Sequence, residues 1–293
     1  MKLKATLILI VGMASVGIAS VIIKLCNAPP IVIATYRMSL SVIILAPIFL
    51  IFRKKVADVK ETPKVINFIP LGAILAIHFV LWIASLRYTT VLSSTVLVTT
   101  SPIFVPIISY FIFKEKTKKL MIFAIIVSFI GSTLIAIAGG MQGFGENLGN
   151  LLAIIGAIAV SFYLVLGKRV RMKTDLLTYI FYVYSFSAIF LILTSLITGQ
   201  KLFGYDRITY IYFVLLAVFP QLLGHTIFNW ALEFFSPSFV ALSILGEPVF
   251  ATIFALLILK EIPSLIEIFG GVFVMTGIYI AARMEVYNKK GLP

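Results

Sequence analysis

The sequence contains one cysteine, Cys26, and two histidines in 293 residues. A lone cysteine excludes an internal disulfide and a cysteine-cluster metal site. Charged residues make up only 12% of the chain, and Asp and Glu together number 11. We find no Walker-type phosphate loop, no Ser-His-Asp arrangement and no zinc-ligand spacing, so neither ATP hydrolysis nor catalysis within the membrane is expected. We therefore expect a protein that is not an enzyme and that uses no cofactor or metal.

Apolar residues take the place of the missing charges. They account for 61% of the chain, and the mean hydropathy is +1.13. A soluble fold of this length cannot hide so much apolar surface. Apolar runs of about 20 residues, the length that crosses a hydrocarbon core of about 30 Å, recur along the whole chain. The composition predicts an all-α, multi-pass membrane protein whose surroundings are the lipid bilayer.

The hydrophobic pattern predicts ten membrane spans joined by short loops. Their predicted bounds are residues 5–25, 31–52, 65–86, 92–113, 120–139, 148–167, 176–197, 210–230, 239–259 and 265–283. A glycine-rich loop at residues 139–150 divides them into two sets of five.

Lysine and arginine are distributed unevenly between the two sides of these spans. Of the 24 such residues, eighteen lie on the side of the N-terminus, five lie on the other side, and Arg37 lies within a span. Because positively charged loops stay in the cytoplasm, we predict that both termini are cytoplasmic. The net charge of +13 is then explained by membrane orientation, and no nucleic acid partner is expected.

The two sets of spans carry signs of an internal duplication. Three features recur at a constant shift of 146 residues: Pro102 on Pro248, Lys114-Glu115 on Lys260-Glu261, and Gly131 on Gly277. More weakly, Lys24 falls on Lys168 at a shift of 144. We predict two repeats, residues 1–141 and 146–288. Because five spans is an odd number, the repeats must cross the membrane in opposite directions, and a binding site is expected between them near the midplane.

Polar side chains within the predicted spans are few, and each is costly in lipid. In span eight Gln221, His225 and Asn229 recur every four residues and form one stripe about 12 Å long at about 1.5 Å per residue. Span three carries His78 and Trp82 on a similar face. These faces either line a central cavity that binds substrate or form hydrogen bonds between helices, and we favour the cavity.

Two charged residues also fall inside spans, Arg37 in span two and Glu247 in span nine. Arg37 either extends to the outer interface or holds a substrate carboxylate. Glu247 either binds a proton or a substrate ammonium group, or satisfies backbone groups freed by Pro248. Pro102 and Pro248 are predicted to kink their helices, and these kinks either only shape the bundle or also open a cavity. Two aromatic residues complete the predicted substrate-binding set: Tyr36 and Trp230.

Three segments from both repeats carry a family resemblance. They read LRYTTVLSSTVLVTTSPIFVPIISYFIFKEK, ILGEPVFATIFALLILKEIPSLIEIFGG and IIKLCNAPPIVIATYRMSL. They resemble the EamA-like transporters of the drug/metabolite transporter superfamily, and the resemblance covers essentially the whole chain. It implies a ten-helix bundle with two inverted halves and a central cavity, which exports or exchanges small metabolites, amino acids among them, across a prokaryotic inner membrane. At Val16-Gly17 the chain departs from the Trp-Gly that the family often has.

Three functions remain open on the sequence alone. The leading hypothesis is a secondary transporter that exports small metabolites such as amino acids by alternating access, and that functions as a monomer. The alternative within transport is a proton-coupled exporter of lipophilic cations or drugs, with Glu247 exchanging protons for cargo. A membrane scaffold or receptor is the third, but it leaves the paired polar stripes unexplained.

Overall fold

The computed structural model describes residues 2–57, 64–89, 91–138, 146–260, 262 and 264–288, and these residues are helical with no β-strand. The α-helices are α1 Lys2–Gly17, α2 Ala19–Leu25, α3 Pro30–Ala57, α4 Ile69–Ser85, α5 Val91–Val98, α6 Ser101–Phe113, α7 Lys119–Ala138, α8 Glu146–Lys173, α9 Leu176–Ile197, α10 Arg207–Leu216, α11 Thr226–Phe234, α12 Pro237–Ile244, α13 Glu247–Phe254 and α14 Leu265–Asn288. A 3-10 turn, Val65–Phe68, precedes α4, and π-helical segments Ala217–His225 and Ala255–Leu259 follow α10 and α13. Two predicted features lie outside the described residues: most of the glycine-rich loop (139–145) and Glu261 of the repeated Lys-Glu pair.

Within the described residues, eight helical units are long and apolar enough to cross a membrane. Their bounds are Leu7–Leu25, Pro30–Phe52, Val65–Ser85, Ser94–Phe113, Asn147–Lys173, Leu176–Ile197, Arg207–Phe234 and Pro237–Ile258. Shorter apolar helices, Lys119–Leu134 and Ile268–Arg283, occupy the fifth and tenth predicted spans. The all-helical, multi-pass membrane class is therefore confirmed. The count of ten crossings and the side of the termini stay predictions.

Two spans are broken at matching positions of the repeats. The helix before Pro102 is interrupted at residues 99–100, between α5 and α6. The helix before Pro248 is interrupted at residues 245–246, between α12 and α13. Proline has no N–H to donate and its ring clashes with the preceding turn, which accounts for the position of both breaks. The two interruptions are 146 residues apart, so the duplicated sequence has a duplicated backbone.

The repeated lysine of the Lys-Glu pair also has a structural role. Lys114 and Lys260 are the described residues other than glycine with positive φ, at 58° and 61°. Lys114 ends α6 and donates its N–H to the carbonyl of Tyr110 at 2.9 Å. A left-handed residue commonly ends a helix because it directs the chain away from the axis. The repeat therefore marks the turn that follows each broken span.

The last helices of the two repeats, α7 and α14, pack together through small residues. A Cβ added to Gly277 would collide with Ser128 and come within 2.6 Å of the carbonyl of Ala124. A Cβ added to Gly131 would collide with the carbonyl of Gly270. Small residues let membrane helices approach closely, and close packing is a main source of their association in lipid.

The first helices of the two repeats, α1 and α8, each pack against helices of the opposite repeat. The first helix of each repeat packs on the third and fourth spans of the other: α1 on the Ala217–His225 segment, α11 and α13, and α8 on α4, α5 and α6. Helix α8 runs antiparallel to α4, because Gly149 lies beside Thr89 while Gly156 lies beside Trp82 and His78. This reciprocal packing places one site between the two repeats.

Candidate functional site

A small central cavity lies where α1, α3, α4 and α8 meet the broken units around Pro102 and Pro248. Its lining residues are Val16, Ala19, Arg37, His78, Trp82, Val98, Thr99, Val160, His225, Phe228, Ile244 and Glu247. Its volume is about 20 Å³. A water molecule needs about 10–15 Å³ on this measure. The cavity thus holds about one water, and a larger ligand can enter only if the walls separate.

Arg37 is fully buried on α3 and does not extend to the interface. Its Nε donates to Oε1 of Gln221 at 2.9 Å, and its guanidinium carbon lies 4.3 Å from the ring centre of Phe79 and 5.8 Å from that of Trp82. The Nη1 atom has no partner among the described residues. Arg37 therefore offers a cation with an unused donor, and the rings beneath it stabilise the charge.

Glu247 begins α13 directly after the break before Pro248, and it is 6% exposed. Its Oε1 has no hydrogen-bond partner within the described part of the chain. That atom therefore does not satisfy backbone groups freed by the proline, which was one of the two interpretations of the sequence. The cavity thus has a buried carboxylate in its wall, with one acceptor unused.

His78 and Trp82 stand one turn apart on α4 and stack with ring centres 6.2 Å apart. The Nδ1 atom of His78 lies 2.9 Å from the carbonyl oxygen of Gly156 on α8. Because a carbonyl only accepts, Nδ1 carries the hydrogen, and Nε2 of a neutral ring is left as an acceptor. Trp82 Nε1 has no partner among the described residues. The pair presents one acceptor and one donor.

The polar stripe of span eight is divided by the π-helical segment Ala217–His225. Gln221 holds Arg37, and its Nε2 is unpartnered in the described structure. His225 lines the cavity, and its ring is edge-on to that of Phe79 with the two ring centres 5.2 Å apart. π-Helical segments are rare in proteins overall, but those that occur are often found at functional sites. Here the segment positions Gln221 and His225 beside Arg37.

Asn229 lies outside the cavity lining, in a network of buried tyrosines. Its Oδ1 accepts a hydrogen bond from Tyr163 at 2.8 Å, and its Nδ2 donates to the hydroxyl of Tyr184 at 3.2 Å. The amide therefore bonds helix to helix, joining α11 to α8 and α9. The amide orientation follows from this network.

Two predicted residues are placed away from the centre. The hydroxyl of Tyr36 donates to the carbonyl of Leu202 at 2.8 Å, and its ring stacks on Phe213 at 4.3 Å. Trp230 packs against Phe234, with ring centres 5.2 Å apart. Neither side chain lines the central cavity. Adjacent residues on a helix point about 100° apart, so Tyr36 and Arg37 cannot share a face.

Thr99 lines the cavity and is a polar residue that the sequence analysis did not select. It is fully buried at the break between α5 and α6, three residues before Pro102. Its hydroxyl donates to the carbonyl of Thr95 at 2.8 Å. The sequence feature that could have identified Thr99 is its position three residues before Pro102, a proline that recurs in the second repeat.

The sequence profile of the EamA-like transporter family matches residues 3–137 and, a second time, residues 147–283. The chain belongs to the EamA-like transporter family. The family resemblance of the sequence is thereby confirmed, and the EamA unit is present twice. The protein is a transporter.

Similar proteins carry the same description. Proteins named as uncharacterized transporters in Archaeoglobus fulgidus and Clostridium kluyveri are 26% and 29% identical to this EamA-family chain, over 69% and 76% of its length and 70% and 74% of theirs. The uncharacterized transporter YdfC of Bacillus subtilis is 22% identical over 88% of this chain and 83% of its own. A solved crystal structure matches 98% of this chain and 99% of its own with a TM-score of 0.77 at 15% identity, which shows a shared fold alone.

Proposed function

We propose that this EamA-family transporter exports small zwitterionic metabolites, amino acids among them, across the inner membrane of a prokaryotic cell. It does so as a secondary transporter, by alternating access around the central cavity. The proposal includes ten membrane crossings in two inverted halves, cytoplasmic termini and a functional monomer.

One observation carries this proposal: the central cavity has both a buried cation and a buried carboxylate in its wall, each with an unused polar atom. Arg37 has an unpartnered Nη1 and Glu247 an unpartnered Oε1 among the described residues. Burying charged groups within a membrane costs several kcal/mol unless their polar atoms find hydrogen-bond partners. A zwitterion supplies a carboxylate for Arg37 and an ammonium group for Glu247 at once. An anion or a cation alone would leave one of them unpaired.

The rest of the wall suits a small apolar group. Most of the lining is aliphatic or aromatic, and Trp82 adds an unpaired Nε1 donor. Ligand sites of this kind combine apolar walls with a few polar groups that fix orientation. The proposal therefore favours neutral amino acids over those with a charged side chain.

The test is uptake into proteoliposomes of labelled neutral, aromatic, acidic and basic amino acids and one lipophilic cation, each with and without a pH gradient. We expect saturable uptake of neutral amino acids, with loss of at least about 100-fold in Arg37→Gln, since a buried charged contact is removed. Trp230→Phe, outside the cavity, serves as the control and is expected to stay within about twofold of the parent.

The alternative within transport, proton-coupled export of lipophilic cations, draws on the aromatic walls and on Glu247. The guanidinium of Arg37 in the same cavity opposes it, because it repels a cation that lacks a carboxylate. Uptake of the lipophilic cation alone, driven by the pH gradient and lost in Glu247→Gln, would overturn our proposal in favour of this alternative.

A further inference from the structure

Two lysines hold equivalent places in the repeats but have different surroundings. Lys24 and Lys168 are 144 residues apart, near the C-terminal ends of α2 and α8. Each lysine lies near the C-terminal end of the third span of its own repeat. Leu86 marks that end in the first repeat, and Leu232, 146 residues later, marks it in the second. The two lysines therefore occupy equivalent positions at opposite ends of the molecule.

At the Lys168 end, the helices are tied together. The Nζ of half-buried Lys168 donates to the carbonyls of Leu232 at 2.6 Å, Glu233 at 3.4 Å and Phe235 at 3.0 Å. The last carbonyls of a helix have no intrahelical partner and carry a partial negative charge. One ammonium group thus satisfies the end of α11 and holds it against α8.

Arg171 strengthens the same end. It is 2% exposed, and its Nη2 lies 2.6 Å from Oε2 of Glu233. Its Nε donates to the carbonyl of Asn229 at 3.1 Å. The end of α8 is therefore joined to α11 by charged contacts from two residues.

The Lys24 end has different surroundings. Lys24 is exposed and lines a cavity of about 230 Å³ together with Leu86, Arg87 and Cys26. Leu86 and Arg87 correspond to Leu232 and Glu233, whose carbonyls Lys168 binds. Arg87 spans part of the gap, with its Nη2 donating to the carbonyl of Ala28 at 2.6 Å. We call this second cavity the vestibule.

The two ends lie on opposite sides of the central cavity. Gly149 on α8 is next to Thr89, near the vestibule, and Gly156 is next to His78 at the centre. From residue 149 to Lys168 the helix advances about 28 Å at about 1.5 Å per residue. This is close to the thickness of a hydrocarbon core, about 30 Å.

We propose that Lys24 and Lys168 are the closing residues of two gates, one at each end of the transport path, and that transport closes them in alternation. The structure has the Lys168 gate closed and the Lys24 gate open. In the opposite state, the ammonium group of Lys24 binds the carbonyls of Leu86, Arg87 and Thr89 while Lys168 releases its three acceptors. The gates go beyond the proposed function and depend on transport, not on the class of substrate.

Closing either gate forms the same kind of contact, an ammonium group on helix carbonyls, and opening it returns these groups to water. The Lys168 end has in addition the Arg171–Glu233 ion pair, which favours the state in which that gate is closed. Removing a contact at that end therefore shifts the populations toward the opposite state.

Cys26 reports the state of the vestibule, because it lines that cavity and is the chain's one cysteine. The purified full chain in detergent is labelled with a neutral maleimide at fixed pH. Burial raises the pKa of the Cys26 thiol to about 12, so the reactive thiolate is scarce and initial rates are compared. No substrate is present, so the result is independent of the proposed substrate class.

Lys168→Gln weakens the closed gate at the far end, and we expect it to lower the Cys26 labelling rate by about threefold or more, as the vestibule closes. Glu233→Gln, which removes the Arg171 ion pair at that end, is expected to act in the same direction. In Lys24→Gln/Lys168→Gln both closing residues are gone, and the rate is expected to rise again. Lys173→Gln, an exposed lysine at the end of α8, is the matched control and leaves the rate unchanged.

An unchanged rate in both Lys168→Gln and Glu233→Gln, with melting temperatures near that of the parent, would overturn the proposal and make Lys168 a static helix cap. A higher rate in either variant would overturn it as well, because the coupling would have the wrong sign.

Discussion

The two broken spans have the same backbone and different chemistry. Both are interrupted two residues before a proline, at residues 99–100 and 245–246. The residue before the first proline is Ser101, and before the second it is Glu247. Since the acid occurs in one copy alone, the fold does not require it there. The comparison teaches that the duplication builds the cavity and that single side chains give the cavity its polarity.

The second spans of the repeats show the same division. Arg37 on α3 corresponds to Val183 on α9 at the shift of 146, and both are fully buried. Each repeat thus contributes one charge where the other has an uncharged residue. Under the proposed function, a cavity with one cation and one carboxylate would hold an asymmetric ligand in a single orientation.

Among matched pairs of variants in the two repeats, the largest effect on transport is expected where the copies differ. In Glu247→Gln, kcat/KM for the transported amino acid should fall about 10- to 100-fold, or about 1.4 to 2.7 kcal/mol, because an ammonium group loses its counter-charge. Ser101→Ala, the matched change in the other repeat, should reduce it by less than about threefold. Both are measured as initial uptake into proteoliposomes. Equal losses in the two variants would show that the acid has no special role.

An intermediate effect is expected where the copies agree in packing. Gly131→Ala and Gly277→Ala should each destabilise the protein by about 1–3 kcal/mol, because the new Cβ meets the opposite helix of the α7 and α14 pair. A Cβ on Gly271 would lie 3.7 Å from Val249, an ordinary contact, so Gly271→Ala should change stability little. Thermal unfolding in detergent measures all three. Similar melting temperatures for Gly271→Ala and Gly277→Ala would argue against this packing.

The smallest effect on stability is expected at the two prolines, where both repeats have the same helix break. Pro102→Ala and Pro248→Ala should each change stability by about 1 kcal/mol or less and should affect uptake alike. The breaks are also held by tight turns, with the N–H of Thr100 on the carbonyl of Leu97 at 3.2 Å and that of Gly246 on Ser243 at 3.1 Å. A large loss in one variant alone would show that the two breaks are not equivalent.

The sequence by itself determined the membrane class, the duplication and the family. Apolar runs of membrane length and a constant shift of 146 residues are local properties, so they can be read without coordinates. The repeated prolines likewise marked where helices stop, because the effect of proline on a helix is local. The residues His78, Trp82 and His225, which line the cavity, were found because polar groups in an apolar span are conspicuous.

Only the tertiary structure decided which of these polar residues share a site. It placed Arg37 against Gln221, 184 residues away, and turned Asn229 to the tyrosines and Tyr36 to Leu202. It also separated the engaged Lys168 from the exposed Lys24, although their positions in the repeats match. Helical periodicity defines a face, but the partner of that face depends on how the two repeats pack. This is a long-range property that no single span encodes.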